Sequence, residues 1–155
     1  MKKTMMQVML SLSLLIPMIC SAWAQAQDQG CSVKINAPSN QQTVGETGDV
    51  SGTGAIPAGT YLWVFDHRKG IALWWPQGGG SAVITRGSWD VLANFGLDRD
   101  NGSQFEIVAV VVDQKTNDEL LNWVKGAEET GRYPGMELPH TVAACRLEQV
   151  TVTKH

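Results

Sequence analysis

The chain has 155 residues, 17% charged and 43% hydrophobic, with 12 basic against 15 acidic side chains and a net charge of −3. That length suits one domain with a single core once any leader is removed. The acidic balance and the absence of a basic stripe make nucleic acid and anionic lipid poor partners.

The N-terminus comes first. Met1-Lys2-Lys3 is followed by an apolar run from Met9 to Ile19 and then by Ser21-Ala22-Trp23-Ala24. A charged region, an apolar region and an A-x-A site make a secretory signal peptide over residues 1–24. The apolar run is too short to span a bilayer, and no second run of about 18 apolar residues occurs later in the chain. A transmembrane protein is therefore not expected. Cys20 lies inside the leader, and Ile19 before it does not suit a lipoprotein site. Removing 24 of 155 residues leaves 131 and takes two of the twelve basic residues and none of the fifteen acidic ones. The remainder carries ten positive against fifteen negative charges, or −5. Residues 25–30 read as a flexible start and 31–155 as one domain.

Two cysteines survive cleavage, Cys31 and Cys145. Export and an even count favour a disulfide between them. They stand 114 positions apart (145 less 31). Closing so long a loop stabilises a fold by about 4–5 kcal/mol in the chain-entropy model. Such a bridge would tie the first strand to the last.

Strand signals dominate from Cys31 onward. Cys31–Asn36 alternates, and a turn at Ala37-Pro38-Ser39-Asn40 ends it. Val44–Gly54 reads as a strand leading into the loop Ala55–Gly59. Tyr61–Asp66 and Phe105–Asp113 are apolar on both faces, the mark of central strands covered on both sides. Gly70–Trp75, Ser81–Thr85 and Ser88–Phe95 are further strand candidates, and Thr141–Thr153 is the last. Asp98–Ser103 reads as a hairpin turn, with Asn101-Gly102 able to take positive φ. One helix interrupts the pattern. Thr116-Asn-Asp-Glu119 matches a capping box, Leu120, Val124 and Ala127 repeat at helical spacing, and Gly131 is a stop. The predicted span is Asn117 to Glu129. Seven or eight short strands and one short helix near the C-terminal part predict a mainly β fold, a β-sandwich rather than a barrel.

Catalytic patterns are thin. Ser81 after Gly78-Gly79-Gly80 and Ser88 after Gly87 do not form a G-x-S-x-G elbow. His67, His140 and His155 are widely spaced, with no H-E-x-x-H and no C-x-x-C. Asp98-Arg-Asp100-Asn-Gly102 starts like a calcium loop, but Gly102 and Ala109 fall where ligands are needed. No catalytic residue, cofactor or metal site is predicted.

The aromatic residues are more informative. Trp63, Trp74, Trp75, Trp89 and Trp123 remain after cleavage. Strand alternation points Trp63 with Tyr61, Phe65 and His67, away from Leu62 and Val64. The same rule, on a regular strand, sends Trp74 and Trp75 to opposite faces, one into the core and the other exposed or half covered. All five can serve as core packing. Alternatively Trp74, Trp75 and Tyr133 form an interaction surface, since stacking on a sugar or anchoring a protein both need rigid amphipathic rings.

The order Leu62-Trp-Val, Trp74-Trp-Pro-Gln77, Gly87-Ser-Trp89, Phe105-Glu-Ile, Val110–Asp113 and Leu120-Leu-Asn-Trp123 resembles bacterial extracytoplasmic domains with an immunoglobulin-like sandwich. The resemblance runs from about Ile35 to Trp123. It implies an immunoglobulin-like β-sandwich serving as a binding or accessory module, and it contributes no active-site residues. One departure is that the cysteines lie on terminal segments, whereas antibody domains bridge facing strands around a buried Trp.

These features together point to a non-catalytic, periplasmic or secreted protein-binding module, an accessory partner in a bacterial envelope or secretion system. The alternatives are a carbohydrate-binding module for peptidoglycan or surface polysaccharide, and an inhibitor of a secreted enzyme. The inhibitor would insert a loop such as Gln77–Ser81 or Gly131–Pro139 into a cleft.

Overall fold

The computed structural model describes residues 30–155. The leader expected over residues 1–24, and most of the flexible start, lie outside the described residues.

The strands are β1 (Ser32–Ala37), β2 (Thr43–Val44), β3 (Thr47–Ala55), β4 (Tyr61–Arg68), β5 (Trp75–Pro76), β6 (Ser88–Asn94), β7 (Gln104–Val112) and β8 (Glu148–Lys154). A helix, α1 (Gln114–Thr130), lies between β7 and β8. The chain is mainly β. One sheet has the order β1-β3-β6 and the other β2-β8-β7-β4-β5. Pairing is antiparallel except between β2 and β8.

The two central strands of the larger sheet set the layers. Leu62, Val64, Ile107, Ala109 and Val111 pack toward the smaller sheet, against Val50, Trp89, Val91 and Phe95. Trp63, Phe65, Val108, Val110 and Val112 face the other way, against Leu120 and Val124 of α1. The larger sheet is thus covered on both faces, which is why β4 and β7 carry unbroken apolar runs. The predicted alternation around Trp63 holds. The Trp63 indole N–H, fully buried, donates to Asn117 Oδ1 at 3.0 Å and pins α1 to the sheet. In the smaller sheet the Trp89 ring lies over Gly52, where a Cβ would collide with that ring and with the Lys34 carbonyl.

Several boundaries differ from those expected of the sequence. The helix starts earlier than Asn117. Asp113, at the end of the β7 run, is the N-cap, and its carboxylate accepts from the Thr116 backbone N–H at 2.8 Å. Thr116 is therefore inside the first turn, and no acidic residue occupies that turn. Gly131 does end the helix, at φ 64°. The Gly70–Trp75 candidate reduces to β5. Ser81–Thr85 is not a strand. Only Ala82 bridges to Leu62, and Thr85 pairs with Ser88 across Arg86-Gly87, both at positive φ. The Asp98–Ser103 segment is no hairpin, because it crosses from β6 in one sheet to β7 in the other through a 3₁₀ turn at Asp98–Asp100.

The last strand begins at Glu148 rather than Thr141. The Thr141 hydroxyl accepts from the Val111 N–H and donates to its carbonyl, and the Val142 N–H also donates to that carbonyl. Those bonds occupy the edge that a longer strand would need. Cys145 consequently sits in a turn before β8, disulfide-bonded to Cys31 just before β1, with Cα atoms 4.9 Å apart. The bridge joins the approaches to the first and last strands.

These contacts set two expected outcomes for stability. Replacing both Cys31 and Cys145 by Ser lowers the unfolding free energy by about 4–5 kcal/mol in the loop-entropy account of a 114-residue closure. Urea titration checks this, and unchanged stability would refute a structural role. Asp113→Ala lowers the melting temperature more than Thr116→Ala. The reverse order would show that the helix starts at the Thr116 cap instead.

Candidate functional site

β4 loses its apolar character after Phe65. Asp66 and His67 come next, both still buried, and the exposed Arg68 ends the strand. Around them lies a cleft of about 610 Å³. The buried Asp66 and Gln77 line its floor, and Arg68, Arg99, Leu97 and Tyr133 its more exposed margin.

Asp66 points toward the smaller sheet and is 3% exposed. Its Oδ1 accepts from Gln77 Nε2 at 2.7 Å, while Oδ2 has no hydrogen-bond partner among the described residues. Burial pushes the Asp66 carboxyl well above its ordinary value of 3.8, and the Gln77 donor only partly opposes this. Gln77 is a crosspiece between the sheets. Its backbone N–H donates to the Val64 carbonyl, and its Oε1 accepts from the Asn94 N–H of β6 at 2.9 Å.

His67 points to the helix side. Its Nε2 lies 2.7 Å from Glu106 Oε2 on the paired position of β7, and Nδ1 is buried without a partner among the described residues. Trp74 stacks on the imidazole at 3.7 Å between centroids and 12° between planes.

The far side of the cleft is ionic. Asp100 Oδ1 accepts from Arg68 Nη1 at 3.2 Å, and Oδ2 from the Leu97 N–H at 2.9 Å. The Leu97 N–H holds the Asp100 carboxyl below its ordinary value. Arg68, Arg99 and Lys154 add to this, against a partial desolvation. Gly96, at φ 76°, lets Asp100 approach, since a Cβ there would strike Asp100 Oδ2. Lys154, outside the cleft lining, ends β8 on the phase of the buried Val150 and Val152. It is 1% exposed and its ammonium has no partner among the described residues.

The remaining wall is aromatic. The Trp75 indole N–H donates to the Tyr133 carbonyl at 2.9 Å, and that of Trp123 to the Pro134 carbonyl at 3.2 Å. Trp123 meets Tyr133 edge-on at 6.1 Å. The Trp74–Met136 backbone pair holds the 131–139 loop against this segment, and Gly135 leaves room for Leu73 and Trp75.

Of the three aromatic residues singled out by the sequence, Trp75 and Tyr133 both line the cleft. Trp74 does not; it packs between His67 and the helix-side core. Trp74 and Trp75 are both half-buried, so neither is the core residue expected of the pair. Sequence reasoning did not bring Asp66, Gln77, Arg99, Asp100 and Lys154 together. A polar residue closing a doubly apolar run, and a lysine in phase with buried valines, were the available signals.

A second cavity, of about 640 Å³, lies between α1 and residues 136–142. It holds none of the buried unpartnered polar atoms, so the first cleft is the candidate site. Among the described residues, no group of three or more His, Cys, Asp or Glu is placed to hold a metal ion, and no helix is long and apolar enough to cross a membrane. Comparison of the chain with protein-family models and with curated proteins yields no match.

A group whose folded pKa is raised stabilises the fold below its unfolded pKa and loses that contribution as pH rises toward the folded value. Asp66 is such a group. Asp66→Asn, which keeps the acceptor for Gln77 and cannot ionise, therefore gains on the wild type as pH rises from about 4 toward neutral. Melting curves across that range check it. A variant that loses ground with rising pH would show that Asp66 is stabilised as a carboxylate.

Proposed function

We propose that this chain is an exported, non-catalytic binding module that takes a short segment of a protein partner into the cleft beside Asp66. Its setting is the periplasm or the extracellular medium, as an accessory partner in a bacterial envelope or secretion system. The observation that carries the reading is the aromatic wall. The Trp75 and Trp123 indoles are each tied to a loop carbonyl, so the rings are held in place before any ligand arrives. Pre-ordered aromatic side chains beside a concave, largely apolar surface are what a short binding segment needs, because little entropy remains to be lost.

The sheet order supports an immunoglobulin-like reading of the sandwich. With β1, β3 and β6 as strands A, B and E, and β8, β7, β4 and β5 as G, F, C and C′, the two sheets follow the order of that fold. In this reading the cleft lies at one end of the sandwich, and α1 is an elaboration of the F–G connection. The 131–139 loop is bonded back onto Trp74, which gives no support to an inhibitor that projects it. A flat sugar platform is also poorly supported, since His67 covers one face of Trp74 and Trp123 meets Tyr133 edge-on.

The test is crosslinking capture from envelope and supernatant fractions with the oxidised chain, compared with Tyr133→Ala. Tyr133 is 57% exposed, so its truncation leaves the melting temperature near that of the wild type. The expected result is one protein captured by the wild type and lost with the variant. Equal capture by both would remove the cleft from the interface, and glycan fragments in place of a protein would return the carbohydrate reading.

A further inference from the structure

We infer that the cleft receives the free C-terminal end of a partner chain, with its α-carboxylate on Arg99 and Arg68 and its last side chain among Ile71, Leu97 and Phe105. The inference deepens the binding-module reading and rests on it.

Charge carries the argument. Asp100 is a single carboxylate within electrostatic reach of three cations, Arg68, Arg99 and Lys154. Both of its oxygens are already engaged, one by Arg68 and one by the Leu97 N–H. Arg99 has no ion pair among the described residues. Lys154 is buried and its ammonium has no hydrogen-bond partner there. The one other carboxyl lining the cleft, Asp66, is buried and turned to Gln77, and burial favours its neutral form. Arg68 and Arg99 thus line the cleft together with Asp100, next to Lys154 outside the lining, and this positive charge suits an anionic ligand.

The shape narrows the anion. Arg68 remains 44% exposed in its side chain, so its guanidinium is open to a ligand as well as to Asp100. A guanidinium fork matches the two oxygens of a carboxylate. Apolar groups from Ile71, Leu97 and Phe105 line the same cleft. A ligand must therefore present a carboxylate and an apolar group close together. A terminal residue carries both on one Cα, whereas an internal acidic residue needs two positions to supply them. The volume of about 610 Å³ admits a few residues and no folded surface.

The experiment uses the indole N–H resonances of Trp75 and Trp123, which border the cleft. The oxidised chain is titrated with an N-acetylated alanine-leucine-phenylalanine peptide bearing a free carboxylate. The same peptide as its C-terminal amide, and an amidated glutamate-leucine-phenylalanine peptide, are the comparisons. The free acid is expected to shift both resonances and to bind about tenfold or more tighter than its amide, the worth of one charge-assisted hydrogen bond. Arg99→Gln brings the free acid down to the level of the amide, and Arg99→Lys restores part of the difference. Arg99 is exposed, so neither substitution threatens the fold.

Equal binding of acid and amide overturns the inference, as does an absence of any shift. An amidated glutamate peptide that binds as tightly as the free acid overturns the assignment to a chain end. In each case, loss of the captured partner with Tyr133→Ala would leave the binding-module reading standing. Failure of both experiments would remove both.

Discussion

Burial of β4 and β7 on both faces is the constraint from which the rest of this structure descends. A strand with one wet face alternates; these two cannot, because the smaller sheet lies on one side and α1 on the other. Each buried polar side-chain atom on them either finds a partner within the protein or has none among the described residues. Trp63 illustrates the first solution. Its ring fills the space under the helix and its N–H meets Asn117, so a single contact supplies apolar burial and fixes the position of α1. Asp66 and His67 illustrate the second. They fall at the end of β4, each with one buried polar atom that no described neighbour satisfies.

The same distinction governs how much of the fold was legible in the sequence. Central strands were legible because double burial writes itself as an unbroken apolar run. The helix was legible from Leu120, Val124 and Ala127, all buried as their spacing requires. Its start was not, because Asp113 serves at once as the last residue of a strand-like run and as the cap of the next element. Nothing in local patterning ranks that role above the Thr116 box. The strand expected at Thr141 failed for a different reason. Val111 satisfies its backbone groups through a threonine hydroxyl and the Val142 N–H, and those choices depend on tertiary placement.

The Trp74-Trp-Pro-Gln77 segment stood out as a possible surface, and each of its residues proves to have a structural contact. Trp74 covers His67, Trp75 anchors the 131–139 loop, Pro76 pairs with Phe65, and Gln77 joins the two sheets through Asp66 and Asn94. Trp75, Pro76 and Gln77 also reach the cleft, and Trp74 does not. Placement in the cleft was not readable for Arg99 or Asp100, because the turn that carries them resembles an ordinary polar connection and gains its meaning from Lys154 at the far end of the chain. The Lys154 carbonyl accepts from the Gly102 N–H and its own N–H donates to the Ser103 carbonyl. That contact, between residues about 50 positions apart, brings the third cation to Asp100.

The distribution of support along the sandwich is asymmetric. β4 begins at Tyr61 opposite Val112 and ends at Arg68 opposite Phe105, while β8 begins near Cys145 and ends at Lys154. The disulfide therefore secures one end, and the three buried atoms of Asp66, His67 and Lys154 that lack a partner among the described residues gather at the other. An unsatisfied buried polar group costs about 1–3 kcal/mol. Three of them are of the same order as the about 4–5 kcal/mol assigned to closing the long loop. Stability alone offers no reason to retain them, since apolar replacements at such positions are often neutral or stabilising. Asp66 and His67 line the cleft and Lys154 lies near Asp100 beside it, at the end of the sandwich opposite the crosslink, and this grouping supports the proposed binding reading.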